Sequence, residues 1–231
     1  MTFADRIIDF NRTLRVPDIA LPAGFEWLFP YDNPGTMEAL TAFYRKYYTD
    51  NQPRTFIFGI NPGRFGAGVT GVPFTDPIRL EAECGIVNNF AKKQELSSAF
   101  VWQFIHAYGG PVVFCRDFYI TSLSPLGFVK DGKNINYYDD RSLQQASTPF
   151  ILWNIRTQLD LGGRRETALC LGEGQNYACF RKINAEHGFF REIVPLPHPR
   201  WVMQYRRKRV DEFTAQYVTA LKAAHLKTSV P

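Results

Sequence analysis

The apolar positions change their period along the chain, and each change marks an element. In the opening MTFADRIIDFNRTLR, residues Phe3, Ile7, Ile8 and Phe10 fall on or near one side, the spacing of a short amphipathic helix. Asn33-Pro34 supplies an N-cap followed by proline at the first helical position, and Leu40, Phe43, Tyr44 and Tyr47 then share one helical face. Residues 55–58, Thr-Phe-Ile-Phe, are a short, largely apolar run ended by Gly59, the signature of a buried strand. Further along, residues 95–108 read as a helix, 112–122 as a second strand, and 140–161 as a long helix with an irregularity at Pro149. Residues 167–171, ended by Gly172, read as a third strand, 177–186 as a helix, 189–196 as a fourth strand, and 210–225 as the closing helix. A frayed tail is expected over residues 227–231.

Strands separated by helices predict an α/β three-layer sandwich, with a central, mostly parallel four-stranded sheet and helices on both faces. With 231 residues and no repeat or low-complexity linker, the expectation is a single domain over residues 1–231. In such sheets ligands bind just beyond the carboxyl ends of the strands. The unusual segments 59–74, 122–128 and 195–201 each follow a strand, so this architecture brings them to one edge.

The first of these runs GINPGRFGAGVTGVPFTDP from residue 59 to 77, with five glycines and three prolines, too many for the interior of a helix or strand. Prolines stiffen such a loop, while glycines let backbone approach a ligand closely. It lacks the Lys-Ser/Thr of a phosphate-binding loop and the GxGxxG spacing of a dinucleotide site, so a shaped pocket fits better than a phosphate cradle.

Gly59-Ile60-Asn61-Pro62-Gly63, then Phe65-Gly66, then Thr70-Gly71-Val72-Pro73-Phe74, resembles in residue type and spacing the first motif of the single-strand-selective monofunctional uracil-DNA glycosylases, a family of the uracil-DNA glycosylase superfamily. Ser122-Leu123-Ser124-Pro125-Leu126 resembles that family's base-recognition segment, and His198-Pro199 the start of its second motif. The resemblance implies a DNA glycosylase that hydrolyses the N-glycosidic bond of uracil in DNA. Asn61 would position the attacking water, and His198 would hydrogen-bond the base oxygen next to the glycosidic nitrogen. Ile60 and Gly63 would border the base, with a backbone contact from Gly63, and Phe74 would stack on it. Ser122 would stand where the family usually has Asn.

These roles suit the chemistry. Cleavage develops positive charge on the sugar and negative charge on the departing base. A donor aimed at the base oxygen stabilises that anion as an oxyanion hole does, and a histidine can donate in either protonation state. Asn61 is no strong base, but its carboxamide oxygen can hold a water in line with the sugar carbon. A serine hydroxyl reads one point of a base edge where an Asn amide reads two, so a less discriminating pocket is expected, with xanthine and hypoxanthine joining uracil as substrates. No lysine stands in these motifs as a Schiff-base nucleophile, so the expected mechanism is monofunctional and leaves an abasic site.

A base cannot react inside a duplex, so a glycosylase must extrude it and prop the gap. The loop after His198 carries Arg200, Trp201 and Met203, candidates for that wedge. Arg206, Arg207 and Lys208 follow as candidate phosphate contacts, with Arg64 assisting from the first motif. Two other readings stay open: a DNA-binding relative without catalysis, and a hydrolase or transferase of free nucleosides, which would not need the basic wedge.

Composition narrows the setting. The net charge of +5 permits a polyanionic partner, here DNA, without establishing one. Cys84, Cys115, Cys170 and Cys179 show no CxxC spacing, which argues against an iron–sulfur cluster and for reduced, buried thiols. There is no HExxH, paired-histidine or acidic cluster, so no metal and no cofactor are expected. No stretch approaches a membrane span, and the N-terminus has no apolar signal core. The expectation is a monomer acting on DNA in the bacterial cytoplasm.

Overall fold

The computed structural model describes residues 1–228; of the expected frayed tail, residues 229–231 lie outside the described residues. In chain order the elements are α1 (Phe3–Thr13), β1 (Phe25–Leu28), α2 (Pro34–Tyr47), β2 (Arg54–Gly59), α3 (Ala67–Thr70), α4 (Pro77–Ala82), α5 (Leu96–Tyr108), α6 (Pro111–Asp117), β3 (Phe118–Ser122), β4 (Gly127–Lys130), β5 (Lys133–Ile135), α7 (Arg141–Asp160), β6 (Gly163–Leu171), α8 (Gln175–His187), β7 (Glu192–Leu196), α9 (Pro199–Tyr205), a 3-10 turn over Arg207–Arg209, and α10 (Val210–Thr228).

The main sheet has the strand order β3-β2-β6-β7, and every pairing in it is parallel. Helices cover both faces, as expected of a parallel sheet. β2 is central and all six of its residues are buried, which explains its largely apolar run. Its rings are clamped at right angles or tilted: Phe58 against Phe180 at 5.0 Å, and Phe56 against Tyr119 at 5.0 Å. β7 is an edge strand, which allows Pro195 inside it.

Three elements differ from the sequence expectation. The run read as a strand over residues 112–122 is helical as far as Asp117, and β3 begins only at Phe118. Gly109 and Gly110, both at positive φ, break the chain, and Pro111 then starts a helix at its first position. Val112 is 72% exposed while Phe114 and Cys115 are buried, a helical rather than an alternating pattern. The glycine-rich loop itself contains a single helical turn, α3, closed by Gly71 at φ 71°. Finally, α7 runs through Pro149 without a break.

A second sheet lies outside the sequence expectation. β1, β4 and β5 form an antiparallel ribbon in the order β1-β4-β5. Asp131 and Gly132, at φ 49° and 67°, join β4 to β5 through a two-residue turn with both φ values positive, the form Asp-Gly favours. The Lys-Asp-Gly-Lys sequence carried that signal. Its function is plain from its contacts, because β5 holds the first motif in place.

Candidate active site

The carboxyl ends of β2, β3 and β7 meet at one edge, and local hydrogen bonds fix the segments that leave them. Gly59 pairs with Ser122 in register. Past the strand ends, the Leu123 N–H donates to the Gly59 carbonyl at 3.0 Å and the Ser124 N–H to the Ile60 carbonyl at 3.1 Å. The buried Asn154 amide donates to the Ser122 and Leu123 carbonyls, both at 2.9 Å. The Tyr217 hydroxyl donates to the Pro197 carbonyl and anchors the third segment.

Asn61 is held at both ends of its amide. Its Nδ2 donates to the Ile135 carbonyl at 3.1 Å, and its Oδ1 accepts the Tyr137 N–H at 3.1 Å. The Arg64 N–H donates to Asn134 Oδ1 at 3.1 Å. The β4–β5 hairpin thus clamps the motif from the side. Oδ1 keeps a second lone pair for another donor.

Phe74 sits at φ 51°, a left-handed conformation that a bulky residue adopts only when its surroundings impose it, at about 1–3 kcal/mol. Those surroundings are rigid: Thr70 Oγ1 donates to the Thr75 carbonyl at 2.6 Å, and the Trp102 indole donates to Thr75 Oγ1 at 3.3 Å. The strained turn lays the Phe74 ring over Gly59, where a Cβ would meet ring carbons at 3.0 and 3.1 Å. Phe74 and the His198 ring lie 6.1 Å apart.

His198 caps α9. Its Nδ1 accepts the Arg200 N–H at 3.1 Å, so that nitrogen is bare and the ring proton resides on Nε2. Burial, with a smaller contribution from the Arg200 charge, pushes the imidazole down to about 4. At neutral pH the ring is an uncharged donor through Nε2.

These groups line one cleft of about 280 Å³, bounded by Ile60, Asn61, Gly63, Phe74, His198 and Arg200, among others. Glu95, Asn134, Tyr138, Trp201, Gln204 and Tyr205 border it as well. Sequence reasoning missed the acid, the asparagine and the three tyrosine and glutamine side chains, because each depends on an element whose place only the fold reveals. A neighbouring hollow of about 430 Å³ shares Glu95, Asn134 and Arg200 and adds Arg64 and Lys133. A larger cavity, about 620 Å³, lies between α1 and α7 and is lined by none of the motif residues.

Ser122 stands at the tip of β3 with its hydroxyl beside Gly59, 3.4 Å from where a Cβ would be, and is not among the residues lining the cleft. The segment after His198, expected to be an open loop, is helix α9, because His198 caps it and Pro199 starts it. Helical geometry separates the three wedge candidates. Arg200 is exposed, Trp201 is 37% exposed at the cleft rim, and Met203 packs against the core. Trp201 stands edge-on to Phe213, with the Arg206 guanidinium 4.7 Å above its ring. Tyr205, 59% exposed, stands on the same rim. Arg206, Arg207 and Lys208 are all exposed, whereas Arg209 pairs with Glu212 at 2.8 Å. Arg64 is partly buried and stacks on Phe65.

Burial holds the thiols of Cys84, Cys115 and Cys170 up at about 12, so they are protonated at neutral pH. Among the described residues no three His, Cys, Asp or Glu side chains gather as a metal site, and no helix is long and apolar enough to cross a membrane.

Comparison with known proteins places this geometry. The family model described as the uracil DNA glycosylase superfamily matches residues 45–222. No curated protein matches the chain. Among solved structures, the crystal structure of wild-type Pedobacter heparinus SMUG2 is similar at a TM-score of 0.94 and 45% identity, covering 96% of this chain and 98% of that one. The chain belongs to the uracil DNA glycosylase superfamily, as a SMUG-like DNA glycosylase.

Proposed function

We propose that this enzyme hydrolyses the N-glycosidic bond of uracil, and also of xanthine and hypoxanthine, in DNA, and that it leaves an abasic site without cutting the strand. The observation that carries the reading is His198: a neutral ring with Nδ1 occupied and Nε2–H free, in one cleft with Asn61 and Phe74.

In the proposed reaction the extruded base stacks on Phe74, a contact worth about 1–3 kcal/mol. As the bond to C1′ lengthens, its electron pair moves onto the base. His198 Nε2–H donates to the base atom next to the glycosidic nitrogen, O2 of uracil, N3 of hypoxanthine or N3 of xanthine in its N3-deprotonated form, and stabilises the growing negative charge. Because the ring is already neutral and fixed by its cap, no proton transfer or reorganisation is needed. Asn61 Oδ1 accepts from a water aimed at C1′, and the two backbone bonds on its amide restrict the rotation that would misplace that water. The water adds to the sugar and its proton leaves to solvent.

The relaxed base choice rests on the cleft walls. Gly63 contributes no side chain, and Ser122 stays behind Gly59, outside the lining, so neither side chain narrows the space for a base. The enzyme acts as a monomer in the bacterial cytoplasm. Trp201 and Tyr205 prop the gap, and Arg64, Arg200, Arg206, Arg207 and Lys208 meet phosphates. The test is excision from single- and double-stranded oligonucleotides carrying uracil, xanthine, hypoxanthine or thymine, with free deoxyuridine as the control. Abasic sites from the first three, none from thymine and no cleavage of the free nucleoside are expected. Uracil excision alone, at full efficiency, ends the relaxed-pocket reading.

A further inference from the structure

Among the described residues Glu95 is the one carboxyl side chain lining the cleft. It precedes α5 and is held by two hydrogen bonds, with a third bracing its partner Ser98. Its backbone N–H donates to Asp76 Oδ2 at 2.9 Å, the Ser98 hydroxyl donates to its Oε2 at 3.2 Å, and the Asp76 N–H donates to that hydroxyl at 3.1 Å. The first motif leaves room for it. A Cβ on Gly66 would collide with the Glu95 carboxyl, and one on Gly63 would lie 3.6 Å from Oε1. Two of the glycines that looked like space for a ligand therefore also make space for an acid, two residues along from Asn61. Asn61, Phe74 and His198 account for bond cleavage without it, so Glu95 is a partly buried titratable group with no assigned task.

We infer that Glu95 is a catalytic residue for purine bases, donating a proton to the imidazole-ring nitrogen N7 of xanthine or hypoxanthine as the glycosidic bond breaks. This deepens the proposed function and rests on it. The reason is chemical. A purine has a basic nitrogen on its five-membered ring, and protonating it makes the base a better leaving group. Uracil carries only carbon at the corresponding edge, C5 and C6, and gains nothing from an acid there. The step balances: the carboxyl O–H bond breaks and the N7–H bond forms, the C1′–N9 electron pair stays with N9, and the base leaves neutral as its N7–H tautomer. Water adds to C1′ and loses a proton to solvent, and the Glu95 carboxylate takes a proton back from solvent.

The surroundings keep the acid available. Burial, opposed by the Ser98 hydrogen bond and the Arg200 charge and aided by the Asp76 charge, pushes Glu95 up to about 7. The other ionisable side chains around it are Tyr138, His198 and Tyr205 in the cleft, and Arg64 and Lys133 across the adjoining hollow. The acid is thus substantially protonated at neutral pH, near the value at which a general acid works best.

The experiment compares wild type and Glu95→Gln, an isosteric change, in single-turnover excision of xanthine, hypoxanthine and uracil from the same oligonucleotide between pH 5 and 9. In the wild type, the ratio of purine to uracil excision is expected to fall as pH rises through about 7. In Glu95→Gln that ratio should drop by about 10²-fold at pH 6 and lose its pH dependence. Thermal melting of both proteins confirms folding, and uracil excision in the same preparation measures general damage to the cleft. Purine and uracil rates falling together, or a purine profile unchanged by the substitution, overturns the role. Wild-type excision of uracil without purines overturns it too, while the glycosylase reading stands; no excision of any base by the wild type fails that reading instead.

Discussion

His198 does two jobs that one substitution can separate. It caps α9 through Nδ1 and, in the proposed reaction, donates to the leaving base through Nε2. Asn is among the best N-cap residues, so His198→Asn keeps the cap on the Arg200 N–H while withdrawing the ring donor. Losing one such donor lowers the chemical rate by about 10²–10³-fold, or about 2.7–4 kcal/mol. Stability should respond oppositely. The folded ring stays neutral down to about 4 from an ordinary 6.5. Between those values the unfolded chain takes up a proton that the folded one refuses, so folding weakens as pH falls from 6.5 towards 4. The loss reaches about 3 kcal/mol at the low end, and above 6.5 there is none. His198→Asn has no such proton to take up and should be the more acid-resistant protein. The assays are single-turnover excision of uracil from an oligonucleotide with enzyme in excess, and urea unfolding at pH 7.5 and 4.5. Excision within about threefold of wild type refutes the donor role, since a lost donor of this kind is worth far more. An acid weakening identical in both proteins refutes the neutral-ring argument.

Three further outcomes are expected. Asn61→Ala should abolish excision while DNA affinity, measured by fluorescence anisotropy, stays within about threefold, because the water site and not the phosphate contacts is lost; unchanged excision rejects the water-positioning role. Replacing Arg206, Arg207 and Lys208 together by Gln should weaken binding at every sequence and flatten the plot of log affinity against log salt by about 0.7–0.9 per lost phosphate contact; an unaltered slope leaves this run as plain solvated surface. Glu95, raised from 4.5 to about 7, favours the folded state below pH 4.5, and that advantage disappears as pH rises through 7. Glu95→Gln should therefore be more stable than wild type by about 1–3 kcal/mol at pH 8.5, as read by urea unfolding, and a wild type of equal stability at that pH counts against a buried acid.

The sequence by itself determined the fold class and the order of the site. The apolar run of residues 55–58 ends at Gly59 in both the pattern and the structure, because a central parallel strand is buried on both faces and must be largely apolar. The Asn33-Pro34 cap and the start of α10 at Val210 were legible for the same reason: the physics that sets them acts within a few residues. The stretch 111–117 is helical against its strand-like pattern because a short run of Val, Phe and Cys suits a strand as well as a helix, and Gly110-Pro111 decides between them. Residue types and spacing identified Asn61, Phe74 and His198 as a set, and strand polarity alone brought their segments to one sheet edge.

Only the tertiary structure decided how those residues are primed. The tautomer of His198 depends on an N–H two residues away in α9, a helix that the sequence pattern does not mark. The orientation of Asn61 depends on backbone groups of Ile135 and Tyr137, more than seventy residues downstream. Glu95 lies 32 residues after Gly63 and acquires its altered acidity only when α5 and the glycine loop close over it. Desolvation and long-range hydrogen bonds have no period along a chain. They arise when distant segments exclude water from one another, so the pattern of residues names the participants while the packing sets their protonation and direction.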